Sequence, residues 1–170
     1  IIKSNTYADF NGREILTADS SGNLTTQKTN YPAFCYKQNS IIALSGSTWT
    51  KLNNYGEKLF DSNNAYDSGT GFFQPQVAGK YFFFADTDVD NSTDTKYIAL
   101  SKNGVLTSDP NFLFTRDTGG NQYNIQITGV FELNGSSDYV MVAGYNTTNA
   151  ENFGTTNTSK ARFIGFRMGS

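Results

Sequence analysis

At 170 residues the chain is long enough to bury one proper core and too short for two comfortable domains. Its net charge of −2, with charged residues at only 16%, leaves no basic face for nucleic acid and no polybasic cluster for an anionic membrane. Aromatic residues at 15%, set among Asn, Ser, Thr and Gly, favour short strands joined by many loops, and no apolar run approaches a membrane span.

Residues 1–30 differ from the rest. Gly12-Arg13-Glu14-Ile15-Leu16-Thr17-Ala18-Asp19-Ser20-Ser21-Gly22-Asn23-Leu24-Thr25 has isolated apolar residues spaced by turn signals. Such a segment buries little by itself and reads as a β-turn-rich stalk or linker that packs against copies of itself. Opening on Ile1 rather than Met, the chain reads as part of a longer polypeptide. Residues 31–170 form the second expected domain. Strands are predicted at 33–37, 40–44, 71–73, 79–85, 96–102, 111–114, 123–133, 138–145 and 161–168, with Asn103-Gly104, Gly119-Gly120 and Asn134-Gly135 among the turns between them. No stretch carries apolar residues at helical spacing, so the expected fold class is all-β, a sandwich or jelly roll.

Two of these strands say more than the others. In 123–133, Ile125, Ile127, Phe131 and Leu133 fall on one face and Gln126, Thr128, Val130 and Glu132 on the other, the pattern of a half-buried strand. In Tyr81-Phe82-Phe83-Phe84 both faces are aromatic, so one can fill a core while the other needs a cover, which a neighbouring subunit would supply. Cys35, the only cysteine, sits in an apolar strand and reads as a buried, inert thiol.

Several motifs then fall in order along residues 31–168. Tyr66-Asp67-Ser68-Gly69-Thr70-Gly71-Phe72-Phe73, Pro75 and Gly79-Lys80-Tyr81-Phe82-Phe83 resemble the signature of the complement C1q globular head. Gly129-Val130-Phe131-Glu132-Leu133 and Asp138-Tyr139-Val140-Met141-Val142 resemble consecutive strands of the related tumour necrosis factor superfamily, and Phe163-Ile164-Gly165-Phe166-Arg167-Met168 resembles the closing Phe-x-Gly-Phe strand. The turn before Asp138 departs from the family, being loosened by Ser136 and Ser137, and no collagen-like stalk precedes the head. The resemblance implies a homotrimeric jelly roll of about ten antiparallel strands, with first and last strands paired and with Tyr81, Phe83, Gln126 and Phe166 at the trimer interface. Residues 14–24 resemble, less specifically, segments of phage tail fibres and other virion appendages.

Candidate chemistry is sparse. Without histidine, no Ser-His-Asp or Cys-His nucleophile can be built, and no two carboxylates are visibly paired, so the chain reads as non-enzymatic. Asp86, Asp88, Asp90 and Asp94 alternate in a loop that could converge on calcium, although Asn91 and Tyr97 depart from an EF-hand. The polar stretch 145–160, with Tyr145, Asn149, Asn152 and Phe153, and the loop at Arg116 and Asp117 are receptor candidates, since rings beside amides suit a sugar surface. The leading expectation is a trimeric binding head at the tip of a virion fibre, recognising a host-surface polysaccharide or protein. Alternatives are a head that only registers and caps three chains, and a complement-type lectin or ligand of a cell. No cofactor beyond calcium is expected, no nucleic acid and no membrane insertion.

Overall fold

The computed structural model describes residues 7–8, 15–18, 21–22, 24–27, 31–90, 93–107, 110–118, 124–148, 150–154 and 161–169. The chain divides into two compact units, Ile1–Tyr31 and Pro32–Ser170. In the first, β1 (Tyr7–Ala8), β2 (Ile15–Ala18) and β3 (Leu24–Gln27) form a three-stranded antiparallel sheet, with Tyr7 opposite Leu16 and Ile15 opposite Gln27. Gly22, between β2 and β3, has φ +83°, a left-handed backbone that costs glycine no Cβ clash.

The second unit is built from β4 (Ala33–Lys37), β5 (Ile42–Leu44), β6 (Thr50–Lys51), β7 (Glu57–Asp61), β8 (Tyr66–Asp67), β9 (Phe72–Phe73), β10 (Gly79–Asp88), β11 (Lys96–Lys102), β12 (Phe112–Asp117), β13 (Asn124–Leu133), β14 (Val140–Asn146), β15 (Glu151–Phe153) and β16 (Arg162–Gly169). One sheet runs β13-β10-β16-β4-β7 and the other β12-β11-β14-β9-β8, with β6 added against β14 and β5 paired with β15. Without β6 each main path holds five strands, the ten expected of the jelly roll. First and last strands of the head pair, Phe34 opposite Gly165.

Alternation decides which side chains meet between the sheets. On β13 the polar and apolar faces separate as read from the sequence: Ile125, Ile127, Phe131 and Leu133 are buried, while Gln126, Thr128, Val130 and Glu132 are exposed. The antiparallel register sets Tyr81 opposite Phe131 and Phe83 opposite Gly129, which carries both rings inward. There Phe83 joins Phe34 and Phe163 from its own sheet with Tyr66 and Phe73 from the facing one. Phe34 lies 4.4 Å from Phe73 and 4.8 Å from Phe163, so the family-like aromatic motifs are chiefly the core itself.

This corrects the expected trimer interface. Tyr81 and Phe83 are both 0% exposed within one protomer and can touch no second copy. Phe82 and Phe84 take the outward positions instead. An all-aromatic strand carries no parity of its own, and only its pairing with β13 supplies one.

Glycines occur where rings come close. A Cβ on Gly165 would stand 2.5 Å from Phe34 and 2.8 Å from Phe83, which explains the glycine of the closing Phe-x-Gly-Phe motif. The loosened turn before β14 is rebuilt by a side chain: Asn134 Oδ1 accepts from the amides of Ser136, Ser137 and Asp138, each at 3.0 Å. Cys35 is buried, and desolvation pushes its thiol pKa up, as expected of an inert group. Among the described residues, no helix is long and apolar enough to cross a membrane.

Candidate functional site

Both sheets present an outer face. On the first sheet, cross-strand pairing assembles rows from outward side chains. Val130, Phe82 and Phe166 form one row, and Thr128, Phe84, Ile164, Cys35 and Phe60 the next. Phe82 packs on Phe166 at 5.3 Å, and Val130, Phe166 and Met168 remain 48%, 45% and 57% exposed. Further along, Gln126 pairs with Asp86, whose carboxylate takes the Arg162 N–H, and Arg162 pairs with Lys37, which ends on Glu57 in an ion pair of 2.7 Å. The face therefore grades from apolar to charged along the strands. Of the four expected interface residues, Gln126 and Phe166 stand on it.

The outer face of the second sheet is different. Tyr145, Tyr97 and Arg116 form one cross-strand row, and Ala143, Ala99 and Phe114 the row beside it. Small residues in the second row leave room above the sheet, and Trp49 from the chain leading into β6 packs there with Phe112, Val105 and Leu106. Trp49 lies 5.0 Å from Phe112, 5.2 Å from Tyr145, 6.0 Å from Tyr97 and 6.4 Å from Phe114. A depression of about 280 Å³ opens among these rings.

The receptor-loop candidates are thereby sorted. Tyr145 and exposed Arg116 are brought onto one row, although both lie on strands rather than in loops. Phe153 is not available: it is 0% exposed and belongs to the core. The stretch after Tyr145 contains β15, whose pairing with β5 points Phe153 inward opposite Ile42. Asn152 is held at the backbone, its N–H donating to Asp90 Oδ2 at 3.0 Å. Asp117 is buried on β12, and among the described residues its Oδ2 has no hydrogen-bond partner. Asn149 lies outside the described residues.

The aspartates do not form one cation cage. β10 runs on through Asp88, so Asp86 and Asp88 lie along an extended strand rather than in a loop. Asn124 Nδ2 donates to both, at 3.3 Å to Asp86 and 3.1 Å to Asp88, and the Arg162 N–H donates to Asp86 Oδ1. Asp90 accepts from Asn152, and Asp94 from the Thr148 hydroxyl. Among the described residues, no three His, Cys, Asp or Glu come together as a group that could hold a metal ion. Asp67 and Asp138 are structural acceptors. Asp67 takes the Gly69 amide at 2.8 Å, which holds its carboxyl below the usual range, and Asp138 pairs with Lys102 at 2.9 Å.

No family model matches the chain, and no curated protein does. Solved structures do match. The globular domain of a zebrafish complement 1qA protein superposes with a TM-score of 0.57 at 20% identity, over 81% of this chain and 98% of that one. The Pro32–Ser170 unit has a C1q/TNF-like jelly-roll fold. Murine APRIL gives a TM-score of 0.58 at 12% identity over 82% of this chain and 100% of that one. The Eiger TNF of S. frugiperda gives 0.57 at 10% identity, over 82% and 94%. With so little identity, the C1q/TNF-like fold is shared and the site residues are the chain's own.

The basin of rings was missed by reading loops. Its signal lay in two predicted strands, where Tyr97 and Ala99 alternate with Ile98 and Leu100, and Phe112 and Phe114 flank Leu113. Strands apolar on both faces imply a second covered surface.

Proposed function

We propose that this chain is the non-enzymatic, homotrimeric binding head of a virion fibre, with Ile1–Tyr31 as part of the stalk, and that it recognises a host-surface polysaccharide. The observation that carries the reading is the apolar row Val130, Phe82 and Phe166 with neighbouring Met168, exposed on a sheet whose inner face already fills the core. Apolar rows on a single face imply a protein cover, and a closed ring of three places the apolar end of each protomer against its neighbours. The C1q and TNF likeness supports that arrangement. Three sites on one rigid head would gain ~10²–10⁴ in avidity over one.

Light scattering on the 170-residue chain tests the assembly. A mass near three chains is expected, falling to one chain in Phe166→Glu with an unaltered circular dichroism spectrum. A monomeric parent protein would sink the reading. The same apolar face would serve a head that only registers three chains. Binding of the trimer to immobilised host-surface polysaccharide separates the two, since a capping head would bind none.

A further inference from the structure

We infer that the basin lined by Trp49, Tyr97, Leu106, Thr107, Phe114 and Tyr145 is a saccharide subsite that seats the apolar face of one uncharged pyranose ring. The inference rests on the reading of the chain as a polysaccharide-binding head, and locates the contact on the outer face of the second sheet rather than in the loop beyond Tyr145.

Ring geometry is the first argument. Every ring pair around Trp49 is tilted or edge-on, with interplanar angles from 40° to 89°, so no ring of the group is spent as a stacking partner of Trp49. Phe114 is 53% exposed, and Trp49, Tyr97 and Tyr145 are half-buried. Such an exposed aromatic group recovers free energy when an apolar surface covers it.

Polarity is the second argument, and it selects the occupant. Trp49 Nε1 and the Tyr97 and Tyr145 hydroxyls make no hydrogen bond with any described residue, which leaves them able to bond a polar rim on an occupant. A lipid chain would leave them unpaired. No lining residue is charged, which favours a neutral occupant of the basin itself; Arg116, paired across from Tyr97, stands beside it in the same row. A pyranose offers both what the rings need and what the polar tips need: a C–H face and a rim of hydroxyls. The volume, about 280 Å³, lies just below the range of drug-sized sites at ~300–1,000 Å³ and suits one ring with its substituents.

Trp49 is the only tryptophan of the chain, so its emission reports the basin directly. The 170-residue chain is titrated with the methyl glycosides of glucose, galactose, mannose and N-acetylglucosamine, with methyl glucuronide as the charged comparator. A saturable change with at least one neutral glycoside is expected, weakened about tenfold in Phe114→Ala, whose exposed ring the fold does not need. Silence with every neutral glycoside, response to the glucuronide alone, or an unchanged affinity in Phe114→Ala would overturn the subsite. Binding to immobilised polysaccharide tells the two readings apart. Equal capture of parent and Phe114→Ala sinks the subsite and leaves the binding head standing. A parent that captures no polysaccharide while Trp49 still answers a glycoside sinks the binding head and leaves the subsite.

Discussion

The two outer faces of the sandwich are both rich in aromatic residues, yet they are built for different company. On the first sheet, Phe82, Phe84, Val130, Ile164 and Phe166 come from three adjacent strands and stand in cross-strand rows. On the second, Ala99 and Ala143 keep the sheet low, and Trp49, Val105 and Leu106 fold over it to leave a basin between the rings. Rows of apolar side chains on a plain sheet fit another sheet. A walled basin fits a small molecule. The same residue types make different surfaces because small residues beneath one group leave room for Trp49 to pack above them.

The largest expected effect tests which way β10 faces. Phe83→Ala, which empties the shared core, should cost ~3–5 kcal/mol in urea unfolding, while Phe82→Ala should cost less, ~1–2 kcal/mol, because its ring is only half-buried against Phe166. A larger loss from Phe82→Ala than from Phe83→Ala would mean the strand's parity is reversed. Gly165→Ala comes next, at ~1–3 kcal/mol, because the added methyl drives against Phe34 and Phe83 from beneath the row that carries Phe166. Charging each face in turn then sharpens the contrast directly. Phe166→Glu should reduce the mass from three chains to one, whereas Phe114→Glu should leave mass and melting temperature within error and abolish the Trp49 response.

The smallest effect lies at the polar end of the first face. Burial pushes the Asp86 carboxyl up, against the lowering by the Arg162 N–H and the Asn124 amide, with Asp88 adding to the rise. A raised folded pKa means that the stabilising contribution is full below the unfolded pKa and is lost as pH rises through the folded one. Asp86→Asn retains an acceptor for Arg162 and removes that loss. The variant should therefore unfold at higher urea than its parent at pH 7, with the gap closing toward pH 4. A less stable variant at pH 7 would show that the hydrogen bonds to Asp86 outweigh its desolvation.

Much of this architecture was legible because each motif answers a packing demand. Gly165 lets two rings close over the backbone, and Asp67 ties the β8–β9 turn through the Gly69 and Thr70 contacts. The alternation on β13 was readable because one of its faces is polar. Where both faces of a strand are apolar, as at Tyr81–Phe84, nothing local distinguishes inside from outside. Phe153 was misplaced for a related reason: its neighbours are loop-like, and only the pairing of β15 with β5 draws it inward. Strand β7 escaped notice because Glu57-Lys58-Leu59-Phe60-Asp61 lies at a sheet margin with most of its side chains exposed, so no alternation marks it. Trp49 joins the basin through a contact remote in sequence, which no local pattern encodes.

The margin at β7 has a further consequence for growth. There the sheet stops at a strand carrying Glu57 and Lys58, with a bulge where it meets Cys35 and Tyr36 and a lysine–glutamate clasp at its end. A charged, kinked border resists the addition of a foreign strand. Copies meeting at this border therefore cannot extend the sheet into a ribbon through it. The proposed contact through the broad side of the sheet, by contrast, closes once rotation brings a few copies back to the start. A head at high local concentration is thereby protected, along this border, from knitting into an aggregate.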